Sequence, residues 1–166
     1  MRSRSRSPSP QMPMLSKRHL GLALIATLLV GCSRATTADF SDVTAEVQVF
    51  RSPSCGCCGK WVEHMEAAGF TVSETLTDDL DPIKQEHGVS EDLASCHTAI
   101  ADGYVIEGHI PAADVQRLLA EKPDVTGIAV PGMPIGSPGM EIGDEREPYT
   151  VFSFDESGAE PFAEHR

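Results

Sequence analysis

The chain has 166 residues, and its charge is unevenly placed: no acid precedes Asp39, whereas Arg2, Arg4, Arg6, Lys17 and Arg18 crowd the start. From Cys32 onward lie all 25 acids but only 8 of the 13 bases, a net charge of −17. Such a surface repels nucleic acid and anionic lipid and attracts cations; the remaining stretch of about 135 residues is enough for one domain with its own core, mainly aliphatic because only 5% of residues are aromatic.

Leu20 to Val30 is almost wholly apolar and runs into Gly31-Cys32. This run is too short for a bilayer span and has the length of a signal-peptide core. A small residue before a cysteine, after an apolar core, resembles the lipobox of bacterial lipoproteins. That resemblance implies removal of residues 1–31, lipidation of Cys32 and a periplasmic protein held to the membrane by its lipid anchor alone. The alternative is an ordinary signal peptide with a chance cysteine. Met14 is an alternative start, since Met14 to Gly31 already makes a complete signal; the Arg-Ser repeat of Arg2 to Ser7, which alone suggests a nucleic-acid arm, then falls in the leader. Residues 32–44 are small and polar and read as a tether.

Ala45 to Arg51 alternates apolar and polar residues and predicts a strand closed by Ser52-Pro53. Ser54-Cys55-Gly56-Cys57-Cys58-Gly59-Lys60-Trp61 follows, and Trp61, Val62, Met65 and Ala68 recur at helical spacing up to Gly69, which ends the helix. Phe70 to Thr75 is a second strand. Asp81 as N-cap and Pro82 at the first helical position predict a short helix ending at Gly88. A strand from Thr98, the Asp102-Gly103 hairpin turn and a strand over Tyr104 to Glu107 come next. Gly108-His109-Ile110 leads into a helix opened by Pro111, striped by Val115, Leu118 and Leu119, and barred by Pro123. Residues 130–141 form a Pro/Gly loop with Met133 and Met140, too rich in breakers for helix or central strand. Tyr149 to Phe154 alternates and predicts an edge strand; residues 155–166 read as a frayed, flexible tail. The order β-α-β-α-β-β-α predicts a three-layer α/β domain over residues 45–154 with a Pro/Gly/Met-rich extension. It is the thioredoxin-like order, with Cys55 and Cys58 where that fold carries its CxxC.

The three clustered cysteines sit on a strand-to-helix turn, where unpaired N–H groups and the helix dipole favour thiolate over thiol. Besides Cys32, the only other cysteine is Cys96. In an oxidising compartment the default for four cysteines is two disulfides, but Cys57 and Cys58 are adjacent and a vicinal disulfide is strained. A dithiol oxidoreductase built on Cys55 and Cys58 is a second reading. Against it, Cys57 competes for the disulfide, and Ala94-Ser95-Cys96-His97 stands where thioredoxin-like enzymes place a cis-proline facing the CxxC. A thiol and an imidazole there turn a guarded disulfide into a ligand set. A metal site is the third reading: four thiolates suit Cu(I), Zn(II) or an iron–sulfur cluster. Structural zinc favours paired Cys-x-x-Cys knuckles, whereas adjacent thiolates suit bridging between several ions. Copper(I) accepts such bridges together with thioether or imidazole donors, which Met133, Met140, His97 and His109 offer. Met65 fits the core, His64 and His87 fit solvent, Lys60 lends positive charge and Trp61 shields the site from water.

Four long stretches carry a family resemblance: Phe50-Arg51-Ser52-Pro53-Ser54-Cys55-Gly56-Cys57-Cys58-Gly59-Lys60-Trp61, Ala94-Ser95-Cys96-His97-Thr98-Ala99, Gly103 to Ala112, and Val130 to Glu141. They resemble the CopG-type copper-resistance proteins, a family described as a metal-binding domain of unknown function, in order and over roughly Val47 to Phe154. The resemblance implies a thioredoxin-like fold, export, and a cysteine-bridged site for several copper ions, with Cys55, Cys57, Cys58 and Cys96 as its cysteine ligands. The expectation for the whole chain is a membrane-tethered periplasmic protein for copper resistance that binds Cu(I) and cycles its oxidation state. Its expected partners are copper ions and a copper chaperone or efflux component, with no nucleic acid. The alternative is a periplasmic thiol–disulfide oxidoreductase.

Overall fold

In the computed structural model of the protein, residues 39–166 are described; the leader, Cys32 and the first part of the tether lie outside them. Strand β1 (Glu46–Arg51) has Val47 and Val49 fully buried on one face. Helix α1 (Gly56–Ala67) follows at once, and β2 (Thr71–Leu76) pairs parallel to β1. Helix α2 (Asp81–Glu86) and a 3-10 turn over Glu91–Leu93 lead into β3 (His97–Ala101), antiparallel to β1. Asp102 and Gly103, both at positive φ, turn the chain into β4 (Tyr104–Glu107). Helix α3 (Ala112–Glu121) ends at Lys122, which is left-handed, just before Pro123. Strands β5 (Gly127–Ala129), β6 (Tyr149–Asp155) and β7 (Gly158–His165) complete a sheet in the order β2-β1-β3-β4-β5-β6-β7. Among the described residues the fold is thus mixed α/β, with one seven-stranded mixed sheet and three α-helices.

The two faces of the sheet bury different residues, as the period of two requires. Val47, Val49, Ala99, Ala101, Ile106 and Ile128 pack with Trp61, Val62 and Met65 of α1 and Val115, Leu118 and Leu119 of α3. Each such aliphatic side chain contributes about 1.5–3 kcal/mol by leaving water. A smaller cluster of Val89, Val105, Ala129 and Phe154 is joined by Leu93 and Ala94 from the segment after α2 and by Ile100 of β3. Gly127 lies where the strands approach closely: a Cβ there would stand 2.1 Å from the Val105 carbonyl oxygen.

Four expectations change. Asp81 lies inside α2 with Leu80 as N-cap, and its side chain makes no cap hydrogen bond. The last part of the tether, from Asp39, is fastened to the domain, because the buried Gln116 amide donates to the Ser41 carbonyl at 3.0 Å. Strand β5 was hidden by its three-residue length. Residues 155–166 are no frayed tail: β7 pairs along β6 and takes the sheet edge that β6 was expected to form. Pro161 and Gly158 masked the strand in the sequence, and an edge position tolerates proline. Helix α3 holds β7 down: the Arg117 guanidinium lies 3.7 Å from the Phe162 ring centroid and donates to the Phe162 carbonyl, and Asp114 pairs with His165 at 2.7 Å.

Candidate metal centre

The strand directions bring four chain segments to one end of the sheet. Strands β1, β4 and β5 run toward that end, and β3 starts there, since Arg51 is paired with His97, Thr98 with Glu107, and Glu107 with Ala129. The segments entering or leaving are therefore Cys55–Cys58, Ser95–Cys96, Gly108–His109 and the loop from Val130. Sequence separation vanishes here through register alone.

Cys55 is the N-cap of α1, no side chain caps the helix, and no acid occupies its first turn. The positive end of the helix is left to the thiols. The four Sγ atoms of Cys55, Cys57, Cys58 and Cys96 all lie within 4.8 Å of one another. Cys55 and Cys57 are 3.5 Å apart, as are Cys58 and Cys96, and Cys55 and Cys58 are joined by a disulfide. Cys57 and Cys96 remain free.

Two buried imidazoles extend the group: one donor atom each of Cys96, His97 and His109 also falls within 4.8 Å of the others. His109 Nδ1 lies 2.7 Å from the Pro138 carbonyl and must donate to it, so Nε2 carries the lone pair; that atom is 2.9 Å from Cys96 Sγ. A carbonyl that fixes the tautomer of a histidine in this way is the usual support of a metal ligand. His97 Nδ1 is 3.6 Å from Cys96 Sγ, whereas its buried Nε2 has no hydrogen-bond partner. Burial lowers the pKa of both histidines; for His97, well below the usual value, the neighbouring His109, Lys84 and Arg51 add to it. Both rings are therefore neutral, with lone pairs to offer. Burial, and then the proximity of Cys57, pushes the Cys96 thiol up to about 12. It keeps its proton until a cation displaces it.

Loop 130–141 meets the site through Pro138 and Gly139. A Cβ on Gly139 would stand 2.6 Å from the Cys57 carbonyl oxygen and 3.0 Å from the Trp61 nitrogen. Met133 is 50% exposed on this loop and Met140 is half-buried. Of the eight residues read as ligands, the structure thus brings the four cysteines, His97 and His109 together, and it places the two methionines on the loop alongside. Trp61 is fully buried, its ring centroid 4.5 Å from that of His97 and its N–H donating to the Ile110 carbonyl at 2.8 Å. Lys60 is exposed beside Glu141. His64 is not simply solvated: its Nε2 accepts the Ala112 N–H at 3.0 Å, at the start of α3.

A polar network behind the site escaped sequence reasoning. Glu107 is fully buried on the α2 side of the sheet. Its carboxylate accepts from Lys84 Nζ at 2.5 Å, from the Ser95 N–H at 2.6 Å and from the Thr98 hydroxyl at 2.7 Å. It thereby pins the residue next to Cys96. The available signal was an acid closing the apolar run Tyr104-Val105-Ile106, where only a paired charge is tolerated.

A mixed α/β scaffold that gathers four cysteines and two neutral histidines at one sheet end defines a protein with a thiol-rich site that can bind a metal. The family model described as "Protein of unknown function, DUF411" matches residues 93–140. A structure of copper resistance protein CopG, form 1, matches with TM-score 0.69 and 45% identity over 73% of this chain and 97% of that one. Form 2 matches with TM-score 0.71 and 44% identity over 74% and 99%. No curated protein matches. The chain belongs to the DUF411 family and is a homologue of copper resistance protein CopG.

Proposed function

We propose that this is an exported copper-resistance protein that binds Cu(I) in a cysteine-bridged site for several ions. The observation carrying this reading is the convergence of four cysteine sulfurs from two segments, with Cys58 and Cys96 38 residues apart in the chain, next to two buried imidazoles. Reduced Cys55, Cys57, Cys58 and Cys96 supply soft, bridging donors, and His97 and His109 supply neutral nitrogen; that set fits Cu(I). His97 also fits, since its Nδ1 already stands 3.6 Å from Cys96 Sγ. Met133 and Met140 are proposed as supplementary thioether donors on the covering loop. The thioredoxin-like reading is supported by the parallel β1–β2 pair, the antiparallel β3–β4 hairpin and the order β2-β1-β3-β4. Lipidation at Cys32 and a periplasmic location belong to the same proposal, as does handover to a copper chaperone or efflux component. Copper held here would cycle: each Cu(I) yields one electron to an external acceptor and regains one from a donor. Reversible bleaching in an anaerobic redox titration is the expected signature, and loss of metal on oxidation counts against cycling.

The test is a reduced, anaerobic titration of the chain with Cu(I) against a competing chelator, alongside Cys96→Ser. Several tightly held coppers per chain, fewer in the variant, are expected. Little retained copper, unchanged by the substitution, overturns the reading.

The Cys55–Cys58 disulfide favours a second reading, a thiol–disulfide oxidoreductase for exported proteins. That reading requires catalysed reduction of a disulfide substrate that survives Cys57→Ser and Cys96→Ser.

A further inference from the structure

The disulfide divides the cluster. With Cys55 and Cys58 joined, the site loses two of its four thiols, while Cys96, His97 and His109 keep every donor atom. We infer that these three side chains form a distinct one-ion site for a borderline divalent cation, such as Zn(II) or Co(II), and that the Cys55–Cys58 pair selects between this site and the Cu(I) cluster. The second half of the statement rests on the copper reading; the first does not.

Three observations carry the inference. One thiolate with two neutral imidazoles is a mixed S/N set, which suits borderline divalent ions, whereas a set dominated by thiolate suits Cu(I). The set is prearranged: the Pro138 carbonyl presents His109 Nε2 to Cys96 at 2.9 Å, and Glu107 clamps the Ser95 N–H next to Cys96. The His97 ring is wedged between Trp61 and His109, with centroids at 4.5 and 5.0 Å, and its Nδ1 lies 3.6 Å from Cys96 Sγ. None of these contacts involves Cys55 or Cys58. Cys57, free and close to Cys96, completes a fourth position or leaves it to water. Conversion to the four-thiol form is a two-electron step. An external dithiol gives two electrons and two protons to the Cys55–Cys58 bond and leaves as its own disulfide, and Cys55 and Cys58 become thiols.

The experiment uses the chain with Cys32→Ser, so that the oxidised form carries two free thiols, verified by thiol titration. Co(II) is added anaerobically. About one Co(II) per chain is expected, with an intense sulfur-to-cobalt charge-transfer band and visible bands of a tetrahedral ion. Cys96→Ser abolishes the charge-transfer band, and His109→Gln weakens binding at least about tenfold. Folding of each variant is checked by circular dichroism, and His97→Gln replaces any variant that fails. No charge-transfer band in the oxidised chain, or a band that survives Cys96→Ser, overturns the inference. The same sample, reduced and given Cu(I), tests the other half independently. Cobalt bound without copper uptake sinks the cluster reading alone, and copper uptake without cobalt sinks the one-ion site alone.

Discussion

Replacing Lys84 by methionine tests the network beneath Cys96. Lys84→Met keeps the volume of the side chain and removes the cation from Glu107, whose side chain is 0% exposed. Breaking a buried pair by deleting one partner costs about 3–5 kcal/mol. Two of the three bonds to the carboxylate remain, from the Ser95 N–H and the Thr98 hydroxyl, so the low end, about 3 kcal/mol, is expected. For a domain of this size that lowers Tm by roughly 10–15 °C. Glu107→Gln is milder, at about 1–2 kcal/mol: a glutamine oxygen still accepts the Ser95 N–H, and Lys84, 10% exposed, has a route to water. The double variant Lys84→Met/Glu107→Gln is therefore more stable than Lys84→Met alone. Thermal and urea unfolding of the metal-free protein give the ranking. A Lys84→Met variant as stable as the parent, or one more stable than Glu107→Gln, refutes the argument that the pair balances a buried charge.

The chain has one tryptophan, and its ring stands 4.5 Å from His97; Cu(I) or Co(II) bound at His97 and Cys96 is expected to quench its fluorescence, while Cys96→Ser leaves the emission unquenched. Gly139→Ala places a methyl 2.6 Å from the Cys57 carbonyl at a φ of +85°. A cost of about 1–3 kcal/mol and faster alkylation of Cys57 are expected, read by thermal melting and thiol labelling. His64 accepts the Ala112 N–H only when neutral, and burial lowers its pKa against the opposing pull of Glu141. Below the unfolded value of about 6.5 the unfolded chain binds more protons than the folded one, so stability from His64 is present above that pH and falls as pH drops toward the folded pKa. His64→Gln removes this part of the slope; identical Tm profiles between pH 7 and 5 for parent and variant contradict it.

Elements with a local signature were legible in the chain. The alternation of β1, the stripe of α1 and the Asp102-Gly103 turn each state their structure within a few residues, and Cys55, Cys57 and Cys58 share one helical turn by spacing alone. The placement of Cys96 beside Cys58 followed from the expected strand order. What stayed hidden depends on partners far along the chain. Three residues of β5 hold no readable period. β7 contains a proline and is kept in place by Arg117 and Asp114 of α3. The orientation of His109 depends on the carbonyl of Pro138, 29 residues later, and Glu107 becomes intelligible only once Lys84 and Ser95 lie against it.

The pairing of Arg51 with His97 and of Phe50 with Thr98 decides which face of the sheet each β3 side chain takes. Along β3, His97, Ala99 and Ala101 lie toward α1 and α3, while Thr98 and Ile100 lie toward α2. A slip of one residue exchanges the two sets. Ile100 would then be forced under helices fitted to alanine, Thr98 would face Trp61, and His97 would turn away from Cys96. The error that dismantles the ligand set is the same error that ruins the packing, so the protein needs no separate proofreading of its chemistry: a chain that has packed has, in the same event, aligned its donors.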